Sequence, residues 1–297
     1  VRLHGWEGPV MKRALLAAWR RRRPVLMRGE NWLGAMPEAA GPRGWARRAG
    51  LRALFALCDG FLTIGRANAA YYSRLGVAAE RLFPMPYAVD NAAFAAAADA
   101  ADRAALRARL GLPPGRPVVL FAGKLVERKH PHTLLSAWRR AFPGSGPARP
   151  LLAYVGDGAM AASLAAAAGD DPDVRVLGFR NQSEMPGLYT LADLFVLAAE
   201  REAWGLAINE AMAAGTAVVA SDQCGAAFDL VDDDVGAVVP PGDVDALAAA
   251  LARLLPRAGA LGQAARRRVA DWDFDADIRG LELALGWLRR RGGAGRF

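Results

Sequence analysis

VRVLGFRNQSEMPGLYTLADLFVLAAEREAWGLAINEAMAAG, residues 174–215, gives the clearest indication of the fold class. It holds two short apolar runs, Val174–Leu177 and Asp193–Leu197, and a helical pattern near Leu206–Ala214. Short apolar runs that alternate with helical segments are typical of a parallel sheet covered by helices on both faces. The stretch therefore predicts part of a doubly wound α/β domain.

The same alternation continues on both sides of this stretch. Further apolar runs that predict strands of this domain are Pro117–Ala122, Leu151–Val155 and Ala217–Ala220. Earlier runs that predict the second half of another α/β domain, whose first strands we expect to be missing, are Pro24–Met27, Gly60–Ile64 and Leu82–Pro86. The Pro-rich segment Gly111–Pro117 is the expected boundary, and Phe274–Arg290 is an expected long final helix. We therefore divide the chain into residues 1–111, 112–257 and 258–297.

The composition is that of a globular protein. The chain has 297 residues, of which 53% are hydrophobic and 23% are charged, which excludes a disordered or collagen-like chain. No apolar run is long enough to span a membrane, and the first residues become polar too early for a signal peptide. Cys58 and Cys224 lie far apart and suggest no disulfide framework. We expect a cytoplasmic protein.

The net charge of +8 attracts anions without choosing among them. All but three of the 38 basic residues are arginine, and no aromatic-basic stacking motif accompanies them, so we expect no nucleic-acid partner. The run Arg20–Arg23 closes a predicted helix. It either contacts anionic lipid, on the inner face of the cytoplasmic membrane, or is an ordinary helix C-terminus favoured by the helix dipole. We favour the second explanation.

Two of the three lysines, Lys124 and Lys129, follow the predicted strand that ends at Ala122. Ligands of open α/β sheets bind outside the carboxyl ends of the strands. Two ammonium groups at such an end suit a diphosphate, since each interacts as a point charge with a phosphoryl oxygen. The alternative is a solvated loop that leads into a helix.

Glu202 and Glu210 flank the start of another predicted helix. The free amides of Gly205, Leu206 and Ala207 would point at a bound anion. Glu202 would lie in the loop and accept hydrogen bonds from sugar hydroxyls, and Glu210, one and a half turns into the helix, could hold a ribose diol. Acidic residues also favour the first turn of a helix because of its dipole, so this motif alone leaves both explanations open.

Together these segments resemble the glycosyltransferases of the GT-B fold, in particular the retaining family 4, also called group 1. The resemblance covers about residues 80–285 and includes PMPYAVDNAAF (84–94), FAGKLVERKH (121–130), YVGDG (154–158), the opening stretch 174–215, SDQCGAAFDLV (221–231) and the GAVVPPGD segment that ends at Asp243. It implies two Rossmann-like domains that face a cleft, the first of them truncated here. Residues 1–111 would be the acceptor side, 112–257 would bind the nucleotide sugar, and 258–297 would cross back to the first domain.

The resemblance also implies a role for each matching residue. Lys124 and Lys129, next to Gly123, would neutralise the donor diphosphate. Glu202 would contact the donor sugar and Glu210 the ribose. The nucleobase would lie against the Gly178-Phe179-Arg180 turn.

At the front of the chain, His4, Arg28 and Glu30 stand at predicted strand ends. The family often has a histidine where this chain has Arg28. Arg28 and Glu30 would hold the acceptor or the donor sugar, or would form an internal ion pair.

The expected activity is transfer of a sugar from a UDP-, GDP- or ADP-sugar to a glycan, lipid-linked or small-molecule acceptor, with retention of configuration. A GT-B-fold epimerase and a non-catalytic donor-binding fragment are the alternatives. No cofactor or metal is expected, because the aspartates at 170–173 and 232–234 are better explained as helix caps and solvated loops.

Overall fold

The structure is a computed structural model, and it describes residues 1–34 and 41–293. Packing divides them into two units. The first unit contains Val1–Ala88 together with the segment that starts at Trp272, and the second unit contains Val89–Asp271. The helices are α1 (Pro9–Arg20), α2 (Gly41–Ala56), α3 (Arg66–Arg74), α4 (Asn91–Ala100), α5 (Arg103–Arg109), α6 (Pro131–Ala141), α7 (Ala161–Ala168), α8 (Met185–Leu191), α9 (Leu206–Ala213), α10 (Ala227–Leu230), α11 (Val244–Leu254), α12 (Ala258–Val269) and α13 (Phe274–Gly293).

The first unit is built on a four-stranded parallel sheet in the order β1-β2-β3-β4. Its strands are β1 (Arg2–His4), β2 (Leu26–Arg28), β3 (Gly60–Thr63) and β4 (Leu82–Pro84). Alternate residues of a strand point to opposite faces. Met27 and Phe61 accordingly pack with α1, α2 and α3, whereas Leu62 and Phe83 pack with α13, where Trp287 lies across the Phe83 ring.

The second unit contains a six-stranded parallel sheet in the order β10-β9-β8-β5-β6-β7. Its strands are β5 (Val118–Ala122), β6 (Leu151–Val155), β7 (Val174–Val176), β8 (Leu194–Leu197), β9 (Ala217–Ser221) and β10 (Gly236–Val239). From β5 the chain proceeds to β6 and β7 on one side, and β8 to β10 continue on the other. The strand order therefore reverses between β5 and β8, which is where open sheets of this kind bind ligands. The α/β prediction with two parallel sheets is confirmed.

The structure divides the chain differently from the sequence-based boundaries at residues 111 and 257. The helices α4 and α5 belong to the second unit because they pack against α8 and α9. The ring of Phe94 in α4 lies 6.1 Å from that of Tyr189 in α8, and Arg266 in α12 makes two 2.7 Å hydrogen bonds to Asp99 in α4. The Pro-rich segment is thus a loop inside the second unit, where Arg107 donates to the carbonyls of Pro113 and Arg116.

Within residues 1–34 and 41–293, none of the helices is both long and apolar enough to cross a bilayer.

Candidate functional site

A cavity of about 570 Å³ opens at the carboxyl ends of β5 and β6. Its remaining walls come from the segment after β7 and from the first turns of α8 and α9. The lining residues are Ala122, Gly123, Lys124, Val155, Gly156, Asp157, Gly158, Phe179, Arg180, Gln182, Met185, Tyr189, Ala207 and Glu210. The cavity therefore lies at the edge that the strand order marks as the ligand side.

Two glycines of the loop after β6 let it cross the loop after β5 in direct contact at this edge. A Cβ atom on Gly156 would lie 1.9 Å from the Gly123 carbonyl oxygen, and one on Gly158 would lie 2.4 Å from the Leu125 oxygen. Hydrogen bonds of 2.9 Å from Gly123 N to Val155 O and from Leu125 N to Asp157 O join the two loops. The backbone is consequently bare where it borders the cavity, so a ligand can approach the main chain.

The loop after β5 carries the lysine pair and is tied to the loop after β8. Lys124 lines the cavity, and the ammonium of Lys129 lies 2.6 Å from Glu202 Oε2. Glu200 N donates to the Arg128 carbonyl at 2.7 Å, and Arg128 itself donates to the Arg201 carbonyl at 2.8 Å. Lys129 and Glu202, each predicted to bind the donor, are therefore one ion pair. Both side chains are largely buried.

The Glu202 loop is fixed in turn by the segment after β9. Glu202 N donates to Gln223 O, and Gly225 N donates to Glu202 O, each at 3.0 Å. A side chain would not fit at Gly225, because a Cβ there would lie 2.1 Å from the Ala203 carbonyl oxygen. Beneath the loop, burial raises the pKa of the Cys224 thiol, which donates to the Leu197 carbonyl. The backbone of Glu202 is thus held on both sides by hydrogen bonds to the segment after β9.

The helix α9 starts at a left-handed glycine, Gly205, with φ +99°. Ile208 N bonds to the Gly205 carbonyl, whereas the amides of the first helical residues have no acceptor inside the helix. Leu206 is partly exposed and Ala207 lines the cavity. The helix N-terminus therefore presents positive partial charge to the same cavity as Lys124.

Glu210 also lines the cavity, and both of its carboxylate oxygens have donors. Gln182 Nε2 donates to Oε1 at 3.0 Å, and the Tyr189 hydroxyl donates to Oε2 at 2.8 Å. Burial, and then the neighbouring carboxylate, raise the pKa of Tyr189 well above its ordinary value, so the phenol stays protonated and remains a donor. Each carboxylate oxygen keeps a second lone pair for a ligand hydroxyl.

Phe179 and Arg180 form the rim of the cavity after β7. The Phe179 ring is 71% exposed, and Arg180 lies 3.7 Å from Glu184. An exposed aromatic face beside a cavity is a surface on which a planar ring can stack.

The aspartates near residue 171 contradict the sequence-based expectation of a solvated loop. Asp173 is almost fully buried and contacts Arg116 at 2.7 Å and Arg149 at 3.2 Å. Asp171 pairs with Arg149 as well. The run Asp232–Asp234 matches the expectation better, since these exposed side chains pair with surface arginines. Among the described residues, no group of three or more potential metal ligands comes together.

The three candidate residues of the first unit also lie near one another, with partners that the sequence did not predict. The Arg28 guanidinium contacts Asp277 of α13 at 3.2 Å and donates to the Met85 carbonyl at 3.1 Å, so its ion pair is with α13 and not with Glu30. Glu30 instead accepts from the Tyr87 hydroxyl and lies 3.5 Å from His4 Nε2. Of this group, His4 and Glu30 remain accessible at the strand ends.

Six of the ten residues predicted for the second unit line the cavity: Gly123, Lys124, Phe179, Arg180, Ala207 and Glu210. Lys129, Glu202, Gly205 and Leu206 form the adjoining ion pair and helix start. Sequence reasoning did not identify Gly156, Asp157, Gly158, Gln182, Met185 or Tyr189 as site residues. The two glycines of YVGDG, directly after a strand, were an available signal. Nothing in the sequence connected Tyr189 with Glu210.

Comparison with known proteins identifies relatives along most of the chain. D-inositol 3-phosphate glycosyltransferase of Salinispora arenicola is 34% identical over 216 residues, which are 65% of this chain and 46% of that protein. A GDP-mannose-dependent alpha-(1-6)-phosphatidylinositol monomannoside mannosyltransferase of Mycolicibacterium smegmatis is 34% identical over 217 residues, 67% of this chain and 54% of that protein. The matches thus span about half the length of these curated relatives.

The fold is that of solved GT-B structures. Anabaena HepE in complex with UDP and glucose superposes with a TM-score of 0.71 at 19% identity, over 95% of this chain and 76% of that one. The family model described as "Glycosyl transferases group 1" matches residues 102–268, which lie entirely within the second unit. Because this match covers more than half of the 297 residues, the chain belongs to the group 1 glycosyltransferases.

Proposed function

We propose that the cavity of the second unit binds a nucleotide-diphosphate sugar and that the protein transfers the sugar with retention of configuration, as in family 4. The observation that carries the proposal is that Lys124 and the start of α9 face one cavity. A lysine and a row of helix amides together suit a diphosphate, since both attract phosphoryl oxygens. HepE, which has the same fold, was solved with UDP and glucose.

The remaining site residues take positions around this diphosphate. Glu210 would receive the ribose hydroxyls on its free lone pairs, and the nucleobase would stack against the rim at Phe179. Glu202, held beside Lys129, would contact the donor sugar.

The mechanism follows from where charge develops. Cleavage of the anomeric bond leaves negative charge on the diphosphate, and preorganised cations and amides stabilise it. Attack from the face of the leaving group retains the configuration, and the departing phosphate accepts the proton of the acceptor hydroxyl. No side-chain nucleophile is required.

The acceptor belongs to the first unit in this proposal, at His4 and Glu30, with Arg28 as a buried support. Relatives named for inositol phosphate and for phosphatidylinositol mannoside indicate small-molecule or lipid-linked acceptors. Peripheral contact with an anionic membrane is the remaining part of the proposal, and its residues belong to the first unit.

Calorimetry with UDP, GDP and ADP tests the donor site. We expect one nucleotide to bind in the micromolar range, and Glu210→Ala to abolish that binding, because the ribose loses its acceptor. Glu282→Ala, which removes an exposed carboxylate on α13, is the matched control and should bind as the wild type does.

Absence of binding to well-folded wild-type protein would refute the proposal, and so would equal losses in the two variants. Product analysis with the matching nucleotide sugar, with and without acceptor, then separates transfer from epimerisation.

A further inference from the structure

The net positive charge of the protein is concentrated in one part of the chain. Residues 1–88 contain 15 Lys and Arg against 5 Asp and Glu, whereas residues 89–271 contain 18 against 21. A compositional preference for arginine raises the arginine content of both units and does not produce this difference. The charge is therefore a property of the first unit.

Within the first unit, seven of the 15 cations of residues 1–88 lie on two helices that pack in one core cluster with the sheet. Buried residues of α1 and α2, among them Leu15 and Phe55, pack in one cluster on the same face of the sheet. The two helices carry seven basic residues and no acidic one. We call their outer surface the α1–α2 face, and its exposed residues include Lys12, Arg13, Trp19, Arg20–Arg23, Arg43, Trp45 and Arg52.

The end of α1 has more positive charge than helix termination requires. Only Arg20 lies in the last turn, where it interacts favourably with the helix dipole. Arg22 has φ +51°, at the position where glycine normally ends a helix without strain, and Arg23 N closes the turn onto the Ala18 carbonyl at 2.9 Å. Within residues 1–34 and 41–293, no carboxylate pairs with the guanidinium groups of Arg20–Arg23. These charges are available to an external anion.

Large apolar side chains are exposed among these cations. Trp19 is 56% exposed and Trp45 68%, and Val10 and Leu16 of α1 are also exposed. Tryptophan with basic residues on an amphipathic helix is the pattern of proteins that lie in the lipid headgroup region. Nucleic-acid phosphates would also attract the arginines, but they offer nothing to exposed Val10 and Leu16. The combination favours a lipid surface.

We propose that the α1–α2 face docks the protein on a bilayer that contains anionic lipid. Arg20–Arg23 supply the electrostatic attraction, and Trp19 and Trp45 insert at the headgroup level. This inference does not depend on the donor site, since its residues lie in the first unit and its partner is the membrane rather than the nucleotide.

Vesicle flotation with the full chain tests it, using phosphatidylcholine vesicles with and without phosphatidylglycerol. We expect binding only to the vesicles with phosphatidylglycerol. In the quadruple variant R20Q/R21Q/R22Q/R23Q, the partition coefficient should fall by at least about a hundredfold, because each basic residue near an anionic surface contributes about fivefold. In the otherwise wild-type protein, Trp19→Ala should weaken vesicle binding without changing the salt dependence of that binding.

The matched control is R109Q/R253Q/R257Q/R267Q, which removes four exposed charges from the second unit and gives the same net charge. It should keep nearly full vesicle binding. Thermal melts and nucleotide binding verify that both quadruple variants are folded.

Three results would overturn the proposal. One is the absence of binding to anionic vesicles by folded wild-type protein, and another is an equal loss in the two quadruple variants. The third is tighter binding to duplex DNA than to the vesicles at equal phosphate concentration, which would identify a nucleic-acid partner instead.

Discussion

Replacement of Tyr189 by phenylalanine removes one hydroxyl from beneath Glu210 and changes little else. The ring lies 5.5 Å from that of Phe195 and 6.1 Å from that of Phe94, and phenylalanine keeps both contacts. What is lost is the 2.8 Å hydrogen bond to Glu210 Oε2. The carboxylate then has only Gln182 to hold it in the orientation that the ribose requires.

The size of the effect follows from the type of bond. A hydrogen bond to a charged group contributes about 1.5–3 kcal/mol, and about 1.4 kcal/mol is a tenfold change in affinity. We therefore expect Tyr189→Phe to weaken nucleotide binding roughly tenfold or more, if most of that energy serves to position the carboxylate. Stability should fall by no more than about 1.5–3 kcal/mol, the contribution of one hydrogen bond to a charged group.

Calorimetry with the ribose and 2′-deoxyribose forms of the same nucleotide separates positioning from general damage. Wild-type protein should prefer the ribose form, and Tyr189→Phe should lose most of that preference, because the two changes act on the same contact. Tyr154→Phe is the matched control: its hydroxyl is also buried and donates to the Pro131 carbonyl at 2.9 Å, away from Glu210.

Tyr189 does not position Glu210 if Tyr189→Phe keeps the full preference for ribose, or if Tyr154→Phe loses that preference to the same extent. If neither form of any nucleotide binds to wild-type protein, the donor site itself is wrong. The two failures are therefore distinguishable.

Three further predictions concern the loops and the core of the second unit. Lys129→Gln should weaken binding of the nucleoside diphosphate more than that of the monophosphate, and calorimetry with the two ligands measures the difference; equal losses would argue against contact with the second phosphate. Gly156→Ala should lower the thermal midpoint by several degrees, because its Cβ would overlap a backbone oxygen at 1.9 Å, whereas Gly259→Ala on α12, with nothing within 4 Å, should not. Asp173→Asn should cost about 3–5 kcal/mol in urea unfolding, because it leaves the buried Arg116 guanidinium without a carboxylate and leaves Arg149 with Asp171 alone; a loss no greater than that of exposed Asp233→Asn would contradict this account of the ion pairs.

The sequence predicted most accurately the strands whose residues are all buried. The strands β5, β6, β8 and β9 are unbroken apolar runs, and the structure has them within a residue or two of their predicted bounds. The strand β10 is a four-residue edge strand in which Val238 is exposed, so its pattern was too short and too mixed to separate it from a loop. The unit boundary was placed wrongly at the prolines because the packing of α4 on α8 is a contact between segments about 90 residues apart.

The site was predictable residue by residue but not in its pairings. Lys129 and Glu202 were each identified from their positions after a strand, yet their contact spans 73 positions and depends on how two loops meet. The close contact between the loops after β5 and β6 depends likewise on how two backbone segments approach each other. Such an approach leaves no periodic pattern in the sequence. Tyr189 was not identified because it is a buried residue of the short helix α8, and its part in the site depends on the hydrogen bond from its hydroxyl to Glu210.

The ion pair of Lys129 and Glu202 is complementary to the charges that develop in the proposed reaction. When the anomeric bond breaks, the diphosphate gains negative charge and the sugar ring gains positive charge. In the proposed complex, the Lys129 ammonium would lie on the diphosphate side and the Glu202 carboxylate on the sugar side. The two would form a fixed dipole that opposes the developing one, so both ends of the breaking bond would be stabilised together.

Each charge of this pair also stabilises the other. The largely buried lysine and the largely buried carboxylate form an ion pair at 2.6 Å, so neither bears the cost of an isolated buried charge. The ammonium has three donors, of which Glu202 needs one, so phosphoryl oxygens can bind without breaking the pair. Because the Glu202 backbone is bonded on both sides to the segment after β9, the pair holds its position as charge develops, and little reorganisation energy is added to the barrier.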